Sequence, residues 1–177
     1  MRFTPTDLPG AVVIDLDRLE DDRGFFARTW CADEMAEHGL STRIAQANTA
    51  FNRVRGTLRG MHWQDPPHAE VKIVRCTRGA VWDVIVDLRP DSPTRLRWIG
   101  VELSERNGRA LYVPEGFAHG YVTLEDESET AYLMSEFHAP GAARGARFDD
   151  PAFGIQWPDV GPLVVSEKDR AWPDYAD

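Results

Sequence analysis

Between residues 108 and 123 the chain reads GRALYVPEGFAHGYVT, and few folds accommodate that order of residues. An apolar run ends at Pro114, which has no backbone donor, and Gly116 follows with the freedom that a chain reversal needs. A second apolar run opens around His119. Strand, Pro-x-Gly turn and strand in succession form a hairpin that aims one imidazole at a chosen face.

The rest of the chain keeps to the same pattern. Apolar or alternating runs occupy residues 11–16, 71–79, 80–89, 96–103, 109–114, 120–125 and 130–137, with Gly, Pro, Asn and Asp between them. Over residues 81–87 the period is two. Val81, Asp83, Ile85 and Asp87 share one face, which is therefore expected to be solvated or to line a polar cavity; Trp82, Val84 and Val86 share the other. One helix is predicted over residues 32–39, ending on Gly39. From Ala139 onward the composition predicts loops and short turns. With 177 residues, 42% of them hydrophobic, and no linker or repeat, the chain is expected to form a single domain over 1–177, a sandwich or jelly roll.

Charge narrows the partners. The formal net charge is −9 and no basic block occurs, which argues against nucleic acid. An acidic chain that binds an anion must gather its arginines and lysines at the site. No apolar signal region opens the sequence, and no run approaches the roughly 20 apolar residues of a membrane span. With only Cys31 and Cys76, neither at a metal-like spacing, the chain reads as a soluble cytoplasmic protein from a reducing compartment, with no membrane partner.

The spacing Gly108, Pro114, Gly116, His119, Thr123 resembles the second motif of the cupins, with Thr123 where that family usually has asparagine. Upstream, the first cupin motif is present in altered form. His62-Trp63-Gln64 stands where metal cupins have His-x-His, and Lys72 stands where they carry a glutamate ligand. A charged ammonium cannot ligate, and it repels a divalent cation. His68 and Glu70 lie in a Pro-containing loop and could reach such a site only by distortion. The expectation is an all-β, cupin-type jelly-roll barrel with short peripheral helices, without metal or cofactor. A neutral imidazole facing a fixed cation suits proton abstraction from carbon beside a carbonyl, the cation stabilising the resulting oxyanion. A buried, satisfied histidine and a snorkelling lysine are the bland alternatives. His62, Lys72 and His119 at one barrel mouth, with Arg59 nearby, favour chemistry.

The segments DDRGFF (21–26), LRGMHWQ (58–64), VKIVRCTRGAVWDVIVDLRPDSPT (71–94), PEGFAHGYVTL (114–124) and SEKD (166–169) together resemble the dTDP-4-dehydrorhamnose 3,5-epimerases, from about Gly10 to Trp172. The resemblance implies a metal-free homodimer acting on a TDP-linked 4-keto-6-deoxyhexose. It also implies roles: His62 as base, Asp169 as its dyad partner, Lys72 at the enolate, and Tyr132 as the acid on the opposite face. His119 would touch substrate, oriented by Asp83 across the sheet. Arg23 and Arg59 would serve the pyrophosphate, with Gln46 and Lys168 completing the binding set. Without the resemblance, Asp169 reads as a solvated tail residue and Tyr132 as a core aromatic. For the dimer, pairing or swapping of the strand at residues 11–16 would cover a sheet edge.

The chain also departs from that family. Arg28 replaces a glutamate, Leu133 a lysine, Phe137 and His138 a pair of tyrosines, and Ala143 a substrate-contacting glutamate. The catalytic set is intact while part of the binding set is rewritten. An epimerase acting at C3 or C5 alone is therefore the alternative reading; a metal cupin and a non-catalytic sugar-nucleotide binder are the other classes.

Overall fold

The computed structural model describes residues 1–176. Two antiparallel sheets form a barrel. The first runs, edge to edge, through β1 (Arg2–Pro5), β2 (Val12–Asp15), β10 (Ala110–Val113), β7 (Lys72–Arg78), β12 (Ser128–Met134) and β5 (Gln46–Asn52). The second orders β13 (Ala143–Gly145), β6 (Thr57–Gln64), β11 (Phe117–Thr123), β8 (Ala80–Asp87) and β9 (Trp98–Ser104), with β14 (Val164–Val165) parallel to β6. A small hairpin, β3 (Leu19–Asp21) and β4 (Gly24–Phe26), stands apart, and the helices α1 (Ala32–Glu37) and α2 (Glu167–Arg170) are short. This is the all-β barrel with short peripheral helices that the sequence predicts. No helix among the described residues is long and apolar enough to cross a membrane.

Between the sheets lies a core built from alternate positions of both: Val74 and Cys76 of β7, Val81 and Ile85 of β8, Leu111 of β10 and Phe117 of β11. Burying each large aliphatic or aromatic side chain of this kind is worth roughly 1.5–3 kcal/mol. Cys76 is buried here and Cys31 is half-buried; both are free thiols.

The period of two in β8 is real, but neither face meets water. Val84 and Val86 are sealed by Met61, Ala118, Ala146 and Phe153, so the segment after Ala146 roofs the outer face of the second sheet. On the inner face, Asp83 and Asp87 are both fully buried, which rules out the solvated alternative. Asp83 bonds His119, whereas Asp87 is held by Arg89, Ser92 and Thr94. The tail contains loops as predicted, yet it also supplies β13, β14 and α2. A second correction concerns the strand at residues 11–16. Its strand, β2, pairs with β1 on one side and β10 on the other, so it lies inside the sheet and edge pairing through it is closed to a second chain.

β6 and β11 come unusually close where it matters. A Cβ on Gly60, whose φ is +126°, would lie 2.6 Å from Gly120 Cα, inside any real contact distance. The two glycines face each other beside a register shift between His119 and Tyr121, and that shift leaves His119 directly opposite His62.

Candidate active site

The barrel mouth holds two adjoining cavities of about 400 and 230 Å³, and His62, Lys72 and Tyr132 line both. The inner one is closed by Arg59, His119, Tyr121 and Asp169; the outer one opens past Gln46, Glu70, His138 and Lys168. Strand topology divides the chemistry between two walls. His62, His119 and Arg59 project from β6 and β11 of the second sheet. Lys72 and Tyr132 project from β7 and β12 of the first, on neighbouring strands where Tyr132 pairs with Val74 and Met134 with Lys72.

His62 Nε2 lies 2.6 Å from Asp169 Oδ1. Ser166 caps α2 by accepting a hydrogen bond from the Asp169 amide at 3.0 Å, so the SEKD segment forms a capped turn that presents its carboxylate to β6. Burial pushes the Asp169 carboxyl up. The hydrogen bond and charge of His62, with further bonds from Ser166 and the Gly60 backbone, outweigh burial and hold it below its ordinary value. An ionised Asp169 accepts from Nε2–H, which leaves Nδ1 as the proton-accepting nitrogen of the ring. His119 repeats the device: its Nε2 sits 2.8 Å from Asp83 Oδ1, the partnership expected from the sequence.

On the facing wall Lys72 Nζ lies 3.0 Å from Glu70 Oε1, with both side chains largely buried. Arg59 donates through Nε to Asn52 Oδ1 at 2.8 Å, and Asn52 also meets the Tyr121 hydroxyl. Burial pushes the Tyr121 phenol up, against bonds from Thr130 and Asn52. Gln64 lines the outer cavity, but its amide is spent on the surrounding loops. Its amide nitrogen donates to the His68 and Phe137 carbonyls and its oxygen accepts from Ala139 N–H, tying together the loops that frame the mouth. Gln46 Oε1 accepts from His138 N–H at 2.6 Å. Lys168 stands 5.6 Å from the Trp172 ring centroid, beside the dyad. Among the described residues, no group of three or more His, Cys, Asp or Glu side chains is placed to hold a metal ion.

Eight of the nine residues predicted from sequence thus line one site. Arg23 does not: it sits at the tip of the β3–β4 hairpin, 89% exposed and paired with Asp21, and its own chain brings it to neither cavity. Glu70, Tyr121 and Trp172 line the site without having been singled out for it. Glu70 was visible as one of two acids or imidazoles in the loop before Lys72; the other two carried no signal beyond apolar character.

The arrangement can take a proton from one side of a ring-shaped ligand, hold a developing oxyanion, and donate from the other side. Comparisons with known proteins agree with it. The model of the dTDP-4-dehydrorhamnose 3,5-epimerase family matches residues 5–177. The dTDP-4-dehydrorhamnose 3,5-epimerase of Methanothermobacter thermautotrophicus is 44% identical over 97% of this chain and 92% of that protein. A Streptomyces niveus dTDP-4-dehydrorhamnose 3-epimerase is 40% identical over 96% of this chain and 82% of its own length. The crystal structure of the Bacillus anthracis 3,5-epimerase, with TDP and PPi bound, superposes with a TM-score of 0.94 at 36% identity, covering 98% of this chain and 99% of that one.

Proposed function

The chain belongs to the dTDP-4-dehydrorhamnose 3,5-epimerase family, and we propose that its two-walled cavity epimerises a TDP-linked 4-keto-6-deoxyhexose. The observation that carries this reading is the His62–Asp169 dyad on one wall facing Lys72 and Tyr132 on the other.

His62 Nδ1 removes the hydrogen from a carbon beside the 4-keto group. The C–H pair flows into the enolate, and the Lys72 ammonium stabilises the oxygen where that charge collects. Asp169 stabilises the imidazolium and fixes its tautomer. Tyr132 then delivers its phenolic hydrogen to the opposite face of the same carbon, which inverts the centre. Imidazolium and phenolate re-equilibrate with water, so every turnover exchanges a carbon-bound hydrogen with solvent. The test is to incubate the protein with TDP-4-keto-6-deoxyglucose in deuterated water and count deuterium at C3 and C5. Uptake at both carbons is the expected result; no uptake at either overturns the reading.

The rewritten outer cavity favours one second reading, epimerisation at a single carbon. Ala143 and His138 line that cavity, and Leu133 is turned instead toward Ile73 and Tyr112 on the outer side of the first sheet. Deuterium at one carbon alone identifies it. A metal-dependent reaction would be lost to EDTA and restored by added Fe, Mn or Zn; turnover here is expected to survive chelation.

The same reading includes a homodimer. The β3–β4 hairpin leaves Leu19, Phe25 and Phe26 more than half exposed, and the free edge strand β5 carries exposed Phe51. A partner covering β5 and the hairpin would bury this apolar surface, and Arg23 at the hairpin tip would then serve the pyrophosphate in the partner's cavity.

A further inference from the structure

Glu70 has no role in the chemistry above, yet it is built into the site. Only 8% of its surface is exposed, and it lines the outer cavity beside Lys72. Period two along an extended chain sends residues 70 and 72 to the same side. The residue between them is clamped on both backbone groups: Val71 N–H donates to Ser135 Oγ at 2.8 Å and its carbonyl accepts from Ser135 N–H at 3.0 Å. The two side chains are therefore held as a pair. Glu70 Oε1 takes the Lys72 ammonium at 3.0 Å. Its other oxygen, Oε2, is buried and has no hydrogen-bond partner among the described residues. Leaving a charged acceptor buried and unsatisfied is costly, and one that lines a cavity is available to a donor that enters it.

A carboxylate only accepts, so what binds must be a donor. Its position follows from Lys72. If the ammonium meets the 4-oxo oxygen, as the proposed epimerisation requires, the adjoining carboxylate meets the substituent on a carbon next to that carbonyl. On a 4-keto-6-deoxyhexose the neighbour that carries a hydroxyl is C3. Resting on that reading of the reaction, we propose that Glu70 is a specificity-determining residue whose Oε2 accepts a hydrogen bond from the C3 hydroxyl of the bound sugar. Glu70 then serves twice: it fixes the ammonium on the oxygen that becomes the enolate, and it selects hexoses that keep a hydroxyl at C3 over 3-deoxy sugars. A site built to pair a hydroxyl rejects the analogue lacking it because its own buried acceptor is left unpaired.

The experiment pairs a protein change with a substrate change. Deuterium uptake is measured, as kcat/KM, at whichever of C3 and C5 the wild type exchanges, using TDP-4-keto-6-deoxyglucose and its 3-deoxy analogue. Wild type is expected to lose about 10- to 100-fold on the analogue, the size of a hydrogen bond to a charged group. Glu70→Ala should lose about 10- to 100-fold more on the hydroxylated sugar than on the 3-deoxy sugar, because the hydroxyl contact is lost only once while the loosened Lys72 slows both. Glu70→Gln, which keeps the volume and an acceptor oxygen, is expected to show the same coupling in weaker form, with its melting temperature measured to confirm that it is folded at the assay temperature. A merely structural role for Glu70 would reduce exchange of both sugars equally. Equal losses, or a wild type indifferent to the C3 hydroxyl, overturn the proposal while leaving the epimerase reading standing. A wild type that exchanges neither carbon of the hydroxylated sugar overturns the epimerase reading itself.

Discussion

His62 and His119 stand directly opposite each other on β6 and β11, each with Nε2 on a buried aspartate. The two dyads differ in access. The His62 side chain is 39% exposed and that of His119 only 11%. A base must meet both substrate and, between turnovers, water; a group that only orients a ligand need not. This difference supports the proposed division, in which His62 abstracts the proton and His119 binds.

Removing the imidazole should therefore have unequal effects. His62→Ala is expected to slow solvent exchange into the sugar by about 10²–10⁴-fold, as for a typical general base. Asp169→Asn should bring a loss in the same range by withdrawing the charge that stabilises the imidazolium. His119→Ala should act mainly on KM. Exchange at the wild-type rate in His62→Ala would show that the base lies elsewhere.

Tyr132 faces the dyad from the other sheet, so abstraction and delivery should separate. Tyr132→Phe is expected to slow product formation more than hydrogen exchange, because His62 can still take a proton and return one to the same face. Deuterium uptake into recovered substrate, measured against epimer formation by NMR, reads that ratio. Equal slowing of both would remove Tyr132 from the delivery step.

Dimerisation should depend on the hairpin. Sedimentation at micromolar concentration is expected to give a species of about twice the 20.0 kDa chain mass. Replacing both Phe25 and Phe26 by serine should shift it toward monomer, while Arg23→Ala should leave the mass unchanged and raise KM. A wild type that sediments only as monomer would end this account of Arg23.

Acid stability should carry the mark of Asp87. Burial pushes this carboxyl up, but Arg89, Ser92 and Thr94 more than offset that and hold it at about 2, against an ordinary 3.8. A depressed carboxyl stabilises the fold above the ordinary value and stops doing so as pH falls toward 2, a contribution of roughly 2 kcal/mol. Urea midpoints measured between pH 6 and 2 should fall more steeply for wild type than for Asp87→Asn. Parallel curves would show that the carboxyl is not held low.

The parts of this molecule that were legible in its sequence are those where the backbone itself demanded a residue. Pro114 and Gly116 announce a hairpin, and alternation marks β7, β8 and β12. Lys72 at a ligand position declares its charge whatever surrounds it. Strands β5 and β6 were harder to see, because QANTAFN is polar at a sheet edge and Gly60 interrupts TLRGMHWQ. Asp169 lay beyond reading from the residues alone: it lies 107 positions from His62, in a stretch whose composition says only loop. Family likeness supplied it. Arg23 shows the converse, a motif residue that its own chain leaves on the surface.

Chain order adds a consequence of the roof over the second sheet. Every strand precedes the carboxylate that pairs with His62, since β14 ends at Val165 and Asp169 follows in α2. During synthesis the strands that carry His62 and Lys72 are complete before the partner of His62 has been made. A nick in the exposed linker around Pro162 would leave Asp169 held noncovalently, through the pairing of β14 with β6 and the packing of Leu163 and Val165. The carboxylate arrives last, like a key turned after the door is hung.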